Sequence, residues 1–301
     1  MAKRPLKIAF DCFWVSSDFE EFKEICFIKA FRDVGIGFLE LNPYIDECDI
    51  VFVFCFGHPD FQSYKGKPIL ISFRTEPRGW FSINEPYCKY HIGFKPDSDN
   101  DLYYPLWIPY LKDYYENRDK VINLVNKTDF CSFIVSNPIC ERRNNLFNFV
   151  NSNYKHVDSL GKHLNNVGFI LPKRDFDYPK KYKFNICFEN TCSNEKYVYI
   201  TEKIIWAYAY GCIPIYWGCS EIDKFFNPDS FINCNGLTDI EILERIKEID
   251  SNDDLCLKML NEPIFVDKEM NWKKWADERL VRFIDKALIN EKNVSIYEVS
   301  V

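Results

Sequence analysis

The sequence lacks long apolar runs, paired cysteines and an excess of basic residues. It has no run of about 18 apolar residues, so we expect no membrane-spanning helix. Its 13 cysteines form no CxxC pair, and its four histidines show no HxH or HxxxH spacing, which disfavours zinc sites. With 38 Lys and Arg against 45 Asp and Glu, the net charge is −7, so we expect no nucleic-acid partner.

The cysteines and the N-terminus both bear on the compartment. Cys12, Cys55, Cys131 and Cys187 lie inside apolar runs, which is typical of small buried side chains and not of a disulfide framework. The first residues lead directly into an apolar stretch, with no signal-peptide pattern before it. We therefore expect a soluble, cytoplasmic protein without a signal peptide or membrane anchor.

Short apolar runs alternate with helical patterns in two successive parts of the chain. Ile50–Phe56 is apolar on both faces, as in a parallel strand covered by helices, and Phe19–Val34 has the period of an amphipathic helix. The alternation restarts after an irregular stretch, Glu76–Asn126, rich in Tyr, Pro and Asp. This order predicts an α/β fold with two Rossmann-like domains facing across a cleft, at residues 1–125 and 126–301.

The most informative segment, Phe184–Gly218, has the pattern strand, loop, helix, turn, strand. Thr201 is a candidate N-cap residue, which puts Glu202 and Lys203 in the first helical turn. A helix N-terminus favours a phosphate, Lys203 adds a full positive charge, and Glu202 suits hydroxyl groups such as a ribose diol. The alternative interpretation is an ordinary distribution of charges at the start of a helix.

This segment resembles the signature of the α1,3/4-fucosyltransferases, glycosyltransferase family 10. The resemblance runs from about Phe130 to Asn235, and the N-terminal half matches only loosely. The pieces that match in order are Val135–Pro138 with Arg142 and Arg143, Tyr154–Gly161 with Asn165, Asn166 and Gly168, FENT at 188–191, YITEK at 199–203, and GCIPIYWG at 211–218.

The resemblance implies a GT-B fold in which the C-terminal domain binds GDP-fucose and the N-terminal domain binds a glycan acceptor. It further implies an inverting transfer of L-fucose to an acceptor hydroxyl, with no metal or other cofactor. Two alternatives stay open at this point. The first is a GT-B enzyme that uses another GDP-sugar, and the second is a non-catalytic protein that binds a nucleotide sugar or a glycan.

The resemblance also suggests residue roles. Arg143 and Lys203 resemble the cations that hold the diphosphate, and Asn190, Tyr199 and Glu202 resemble donor-binding residues of the same loop and helix. Departure of GDP leaves negative charge on the diphosphate, and without a metal, preorganised cations must stabilise that charge.

Three further features leave alternatives open. Arg142 precedes Arg143, so the position of the site arginine is uncertain by one residue. The acceptor hydroxyl needs a general base, and Glu76, which follows an apolar run in Arg-Thr-Glu-Pro, is our candidate, with Glu85 as the second choice. The DxD sequence at 97–99 resembles a metal motif of another glycosyltransferase fold, but so short a match is weak evidence and we expect no metal there.

Overall fold

The chain forms two compact units. Unit 1 comprises Met1–Pro109 and Met270–Val301, and unit 2 comprises Tyr110–Glu269. The division therefore falls before the expected boundary at residues 125 and 126, and the chain returns to unit 1 at its end. The computed structural model describes residues 6–12, 17–33, 39–41, 44–54, 64, 66–75, 87–293 and 295.

The regular elements alternate along the chain, as the sequence predicts. The strands are β1 (Leu6–Asp11), β2 (Leu39–Leu41), β3 (Ile50–Val53), β4 (Ile69–Phe73), β5 (Tyr90–Gly93), β6 (Asp101–Tyr103), β7 (Asp129–Phe133), β8 (Val157–Ser159), β9 (Tyr182–Ile186), β10 (Ile213–Tyr216) and β11 (Ile232–Asn233). The helices are α1 (Ser17–Lys23), α2 (Lys29–Asp33), α3 (Leu111–Asn117), α4 (Glu141–Asn153), α5 (Glu202–Ala209), α6 (Asp239–Asp250), α7 (Asp253–Asn261) and α8 (Trp272–Lys292), with a π-helical turn at Glu24–Ile28 between α1 and α2.

Unit 1 contains a parallel sheet in the order β2-β1-β3-β4-β5-β6. Aromatic rings fill its core. Phe27 packs against Phe52 and Phe73, with ring centroids 4.5 and 5.4 Å apart. Much of the chain's high aromatic content is thus accounted for by packing, since buried rings contribute large apolar areas to a core.

The last helix, α8, belongs to unit 1, although the sequence analysis assigned it to the C-terminal domain. The Trp272 ring packs on Trp107 at a centroid distance of 5.7 Å, and Phe283 packs on Tyr90 at 6.0 Å. These contacts join positions that are far apart in sequence, so helical periodicity within α8 could not reveal them. The irregular stretch Glu76–Asn126 also contains β5, β6 and α3, which are too short to produce a clear period.

Unit 2 contains a parallel sheet in the order β8-β7-β9-β10-β11. Phe133, Phe184 and Ile213 are fully buried in its core, together with Leu146 of α4 and Ile246 of α6. The strand order reverses between β7 and β9, since β8 follows β7 on one side and β9 lies on the other. Ligands of open α/β sheets bind at the carboxyl ends of the strands beside such a reversal.

The α/β prediction is therefore confirmed, with parallel sheets in both units. The helices of the described residues are all too short or too polar to span a lipid bilayer.

Candidate functional site

Polar side chains collect at the carboxyl ends of β7 and β9, where the unit 2 strand order reverses. The chain after β7 leads through Asn137 into α4, which carries Arg143, and the chain after β9 carries Glu189 and Asn190. Because the strands are parallel, these segments emerge at the same edge of the sheet. Hydrogen bonds and ion pairs connect them to the start of α5.

Arg143 lies at the centre of this edge and is 1% exposed. Its guanidinium donates to the Phe188 carbonyl at 3.1 Å, to the Asn137 carbonyl at 2.7 Å and to Asn190 Oδ1 at 3.2 Å. Burial lowers its pKa, and the nearby Glu189 and other acidic groups oppose that shift. Its Nε has no hydrogen-bond partner among the described residues. Arg143 is thus held rigidly and retains one buried donor.

Arg142 faces a different partner. Its Nη1 pairs with Asp239 at the start of α6, its Nη2 donates to the Leu237 carbonyl at 3.3 Å, and its guanidinium lies 5.6 Å from the Phe188 ring centroid. The two neighbouring arginines therefore have separate environments. Of the two, Arg143 is the one hydrogen-bonded to Asn190.

Glu189 is a buried carboxylate that the sequence analysis did not single out. It is 0% exposed, and its oxygens accept from the Thr201 backbone N–H at 2.8 Å and from the Thr201 hydroxyl at 2.7 Å. Burial raises its pKa, and the neighbouring Lys203 charge only partly offsets that effect. The sequence did contain a signal for it, since Glu189 directly follows the apolar run of β9. A carboxylate at the end of a buried strand is normally paired with a cation or hydrogen-bond donors.

Thr201 immediately precedes α5, in the expected N-cap position, but its side chain forms no capping hydrogen bond to the helix. The hydroxyl donates to Glu189 and accepts from Lys203 Nζ at 3.0 Å. Thr201 therefore links the end of β9 to the first turn of α5. The helix N–H groups that a capping threonine would satisfy are left for other acceptors.

Lys203 is surrounded by three acceptors. Its ammonium lies 3.0 Å from Thr201 Oγ1, 3.1 Å from Glu202 Oε1 and 3.2 Å from Glu189 Oε2. Burial alone would lower the pKa of Lys203, but the two carboxylates outweigh it and raise that pKa above its ordinary value. An ammonium has three donors, so all of those on Lys203 are already engaged.

Glu202 is the more accessible of the two carboxylates, with 25% of its side chain exposed against 0% for Glu189. Burial alone would raise the pKa of Glu202, but Lys203 outweighs it and holds that pKa below the ordinary value. Lys173 lies close enough for its charge to interact with that of Glu202. Glu202 is thus an ionised carboxylate among cations at an accessible position.

Tyr199 and Asn190 complete the set of predicted donor-binding residues. Tyr199 is 1% exposed, and its backbone N–H donates to Ser193 Oγ at 3.1 Å. Asn190 is partly exposed and accepts from Arg143. Arg143, Asn190, Tyr199, Glu202 and Lys203 therefore all lie in unit 2. Arg143 interacts with Asn190, Tyr199, Glu202 and Glu189, and Glu189 in turn pairs with Lys203.

The candidate bases and the DxD sequence are the predicted features outside unit 2. Glu76 and Glu85 lie outside the described residues. Asp97 pairs with Arg279 at 2.6 Å and Asp99 with Lys286 at 3.0 Å, so cations of α8 neutralise both aspartates of the DxD sequence. Within the described ranges, no three His, Cys, Asp or Glu side chains lie together as metal ligands.

Comparisons with known proteins define first the fold class and then the family. A crystal structure of an α1,3-fucosyltransferase superposes with a TM-score of 0.76 at 25% identity, covering 98% of this chain and 92% of that one. A second, described as that enzyme with GDP-fucose, gives a TM-score of 0.74 at 24% identity, covering 97% and 93%. The fold is therefore the GT-B fold.

The profile described as glycosyltransferase family 10 (fucosyltransferase) C-term matches residues 124–275. An α-(1,3)-fucosyltransferase from Helicobacter pylori is 31% identical over 86% of this chain, and a putative fucosyltransferase from Acanthamoeba polyphaga mimivirus is 30% identical over 75%. This chain belongs to glycosyltransferase family 10. It spans 60% of the length of the Helicobacter relative and 39% of the viral one.

Proposed function

We propose that this protein transfers L-fucose from GDP-fucose to a hydroxyl group of a glycan acceptor, with inversion at the anomeric carbon and without a metal. The observation that carries the proposal is the charged group at the reversal of the unit 2 sheet, in which Arg143 and Lys203 stand beside the start of α5. Family membership supports the same chemistry, and two solved relatives are described as complexes with GDP and with GDP-fucose.

In this proposal unit 2 binds the donor. Arg143 and Lys203 hold the diphosphate, and N–H groups of the first turn of α5, which the Thr201 side chain does not cap, add further donors. An oxygen of the ligand would satisfy the buried Arg143 Nε, which has no acceptor among the described residues. As GDP departs, these fixed positive groups stabilise the charge that develops on the leaving oxygen.

Because all three donors of Lys203 already have acceptors, a diphosphate can bind Lys203 only if one of those acceptors leaves. The formal charges of Glu189, Glu202, Arg143 and Lys203 cancel, so a diphosphate would meet no net attraction while both carboxylates remain bound to Lys203. Glu202 is the accessible carboxylate, and we propose that it turns from Lys203 to the ribose hydroxyls of the donor. Glu189 stays in place because Thr201 holds both of its oxygens.

The proposed reaction is a single displacement. A carboxylate takes the proton of the acceptor hydroxyl, the acceptor oxygen forms the new bond to the anomeric carbon, and GDP leaves with the bonding electrons. Glu76 remains our candidate for this base, and the acceptor-binding role of the N-terminal domain also remains a proposal. Glu76→Gln should reduce transfer strongly, whereas Glu85→Gln, at the second-choice base, should retain it. Full activity of Glu76→Gln would exclude it as the base.

The activity is tested with purified protein, a glycan acceptor screen and labelled GDP-fucose, GDP-mannose and a UDP-sugar, each with and without EDTA. We expect transfer from GDP-fucose that survives EDTA. Transfer from a UDP-sugar alone, or complete loss in EDTA, would contradict the proposal. Preference for GDP-mannose would favour the alternative donor, and thermal stabilisation by GDP without turnover would favour a non-catalytic binding protein.

A further inference from the structure

A cavity opens at the opposite edge of the unit 2 sheet, away from the site described above. Its volume is about 240 Å³, and its lining includes Lys127, Lys180 and Gly211. These residues precede β7, β9 and β10 respectively. Because the strands are parallel, the cavity lies at their amino ends, whereas Lys203 lies at their carboxyl ends.

Lys127 provides a buried charge at this cavity that forms no ion pair with a described residue. It is 7% exposed, and its ammonium donates to the Lys180 carbonyl at 2.6 Å. No carboxylate among the described residues pairs with it, and a single acceptor leaves two of its three N–H donors unused. Burial lowers its pKa and the neighbouring Arg118 charge acts in the same direction, whereas Asp119 opposes that shift without outweighing it. A charged group in such a place is costly unless a ligand supplies the opposite charge.

The surroundings of Lys127 supply only part of that charge, because Asp119 attracts the ammonium but forms its ion pair with Lys180. Arg118 donates to the Tyr208 and Leu260 carbonyls and forms no ion pair with a described residue. Lys180, on the cavity wall, lies 3.7 Å from Asp119 and 3.1 Å from Asp177. Lys180 thus offsets the acidic side chain of Asp119, and the lining retains a net positive charge from Lys127.

The cavity wall leaves the Lys127 ammonium within reach. Gly211 has φ +66°, and a Cβ built on it would lie 3.5 Å from Lys127 Nζ and 3.2 Å from Ile122 Cδ1. The missing side chain therefore opens the wall beside the ammonium. Val121 and Ile122 contribute apolar surface, so the cavity offers an apolar wall beside one positive charge.

We propose that this cavity binds a small organic anion, with Lys127 as the partner of a terminal carboxylate or phosphate. An organic anion fits better than a free ion because the volume exceeds that of one oxyanion and part of the lining is apolar. The site is separate from the proposed donor site and does not depend on the fucosyl-transfer proposal.

The test is calorimetric titration of the whole chain with phenyl phosphate, benzoate and the neutral benzyl alcohol. The proteins are the wild type, Lys127→Met, and Lys203→Met as the matched control at the other edge. We expect one of the two anions to bind the wild type and Lys203→Met equally, and to bind Lys127→Met at least about tenfold more weakly. Binding of phenyl phosphate would identify the preferred ligand group as a phosphate, and binding of benzoate would identify it as a carboxylate. Benzyl alcohol should bind the wild type no more tightly than the anion binds Lys127→Met.

Equal anion affinity in Lys127→Met, loss of binding in Lys203→Met only, or no anion binding at all would overturn the proposal. If Lys127→Met fails to fold, reductive methylation of the wild type followed by mass spectrometry replaces it. The anion should then protect the Lys127 amine at least about tenfold and leave Lys203 unprotected. Equal labelling of Lys127 with and without the anion would contradict the proposal.

Discussion

Two lysines at opposite edges of the unit 2 sheet have contrasting surroundings. Lys203, at the carboxyl edge, is bracketed by Glu189 and Glu202, and its pKa is raised. Lys127, at the amino edge, has a single carbonyl partner, and burial lowers its pKa. A ligand at Lys203 must replace an existing partner, whereas a ligand at Lys127 would supply an ion-pair partner that no described residue provides. A lysine at the edge of a parallel sheet therefore does not by itself show whether an anion would displace a carboxylate or pair with an unpaired ammonium.

The largest predicted effect separates these lysines by activity. Lys203→Met should lower kcat/KM for fucosyl transfer by about 10²- to 10³-fold, because a preorganised charge facing the leaving group is lost. Lys127→Met should leave the rate within about twofold, since it lies at the other edge of the sheet. Initial rates with labelled GDP-fucose measure both. Comparable losses in the two variants would mean that the edges are not functionally distinct.

A second prediction separates the neighbouring arginines. Arg143→Lys should reduce kcat/KM by roughly 10- to 100-fold, because a buried charged hydrogen bond contributes about 1.5–3 kcal/mol and an ammonium cannot reproduce the guanidinium geometry. Arg142→Lys should stay within about twofold, because Arg142 pairs with the partly exposed Asp239 and not with Asn190. The opposite ranking would move the site by one residue.

A third prediction concerns the backbone that passes Glu189. A Cβ on Gly218 would lie 2.5 Å from Glu189 Cγ and 2.9 Å from Tyr216 Oη. Gly218→Ala should therefore displace Glu189, weaken its hold on Lys203, and cost about 1–3 kcal/mol of unfolding free energy. The exposed Ser220→Ala is the control, with an expected change of at most about 0.5 kcal/mol. Urea unfolding measures both, and equal stability of the two variants would show that the loop accommodates the methyl group.

The smallest effect is on stability at alkaline pH. The folded-state pKa of Lys127 is lowered, so the unfolded chain binds more protons between that pKa and the ordinary value near 10.5. Between these two pKa values the contribution of Lys127 to the free energy of unfolding rises with pH. At pH values below the folded-state pKa, the buried charged ammonium lowers the free energy of unfolding. Lys127→Met should remove this rise and stabilise the unliganded protein at pH 7. If the urea midpoint changes by the same amount between pH 7 and pH 10 in the wild type and in Lys127→Met, the prediction is wrong.

Local patterns predicted the alternation of elements and the helix start that carries Glu202 and Lys203, whereas Arg143, Asn190 and Tyr199 were proposed from the family resemblance. Strand β9, helix α5 and strand β10 follow one another with clear periods, which placed Glu202 and Lys203 at a helix start. Partners distant in sequence could not be predicted. The Asp99–Lys286 pair and the packing of α8 in unit 1 depend on tertiary structure that no local period reports.

The role of Glu189 depends on contacts between segments that are separate in the sequence. Its position after an apolar strand was visible, but its bonds to Thr201 and its contact with Lys203 depend on how the loop returns to the sheet. Thr201 shows the same limit, since its hydroxyl serves Glu189 and not the helix. The opposite environments of Lys127 and Lys203 were equally invisible, because both are single lysines among mixed residues.

Calorimetric titration of GDP and of guanosine, in EDTA, into the wild type and Lys203→Met measures directly whether Lys203 holds the diphosphate without a metal. We predict that the wild type binds GDP in EDTA, that Lys203→Met weakens GDP binding by roughly 10- to 100-fold, and that guanosine affinity is the same in both proteins. Loss of GDP binding in EDTA, or equal GDP affinity in the two proteins, would contradict this role.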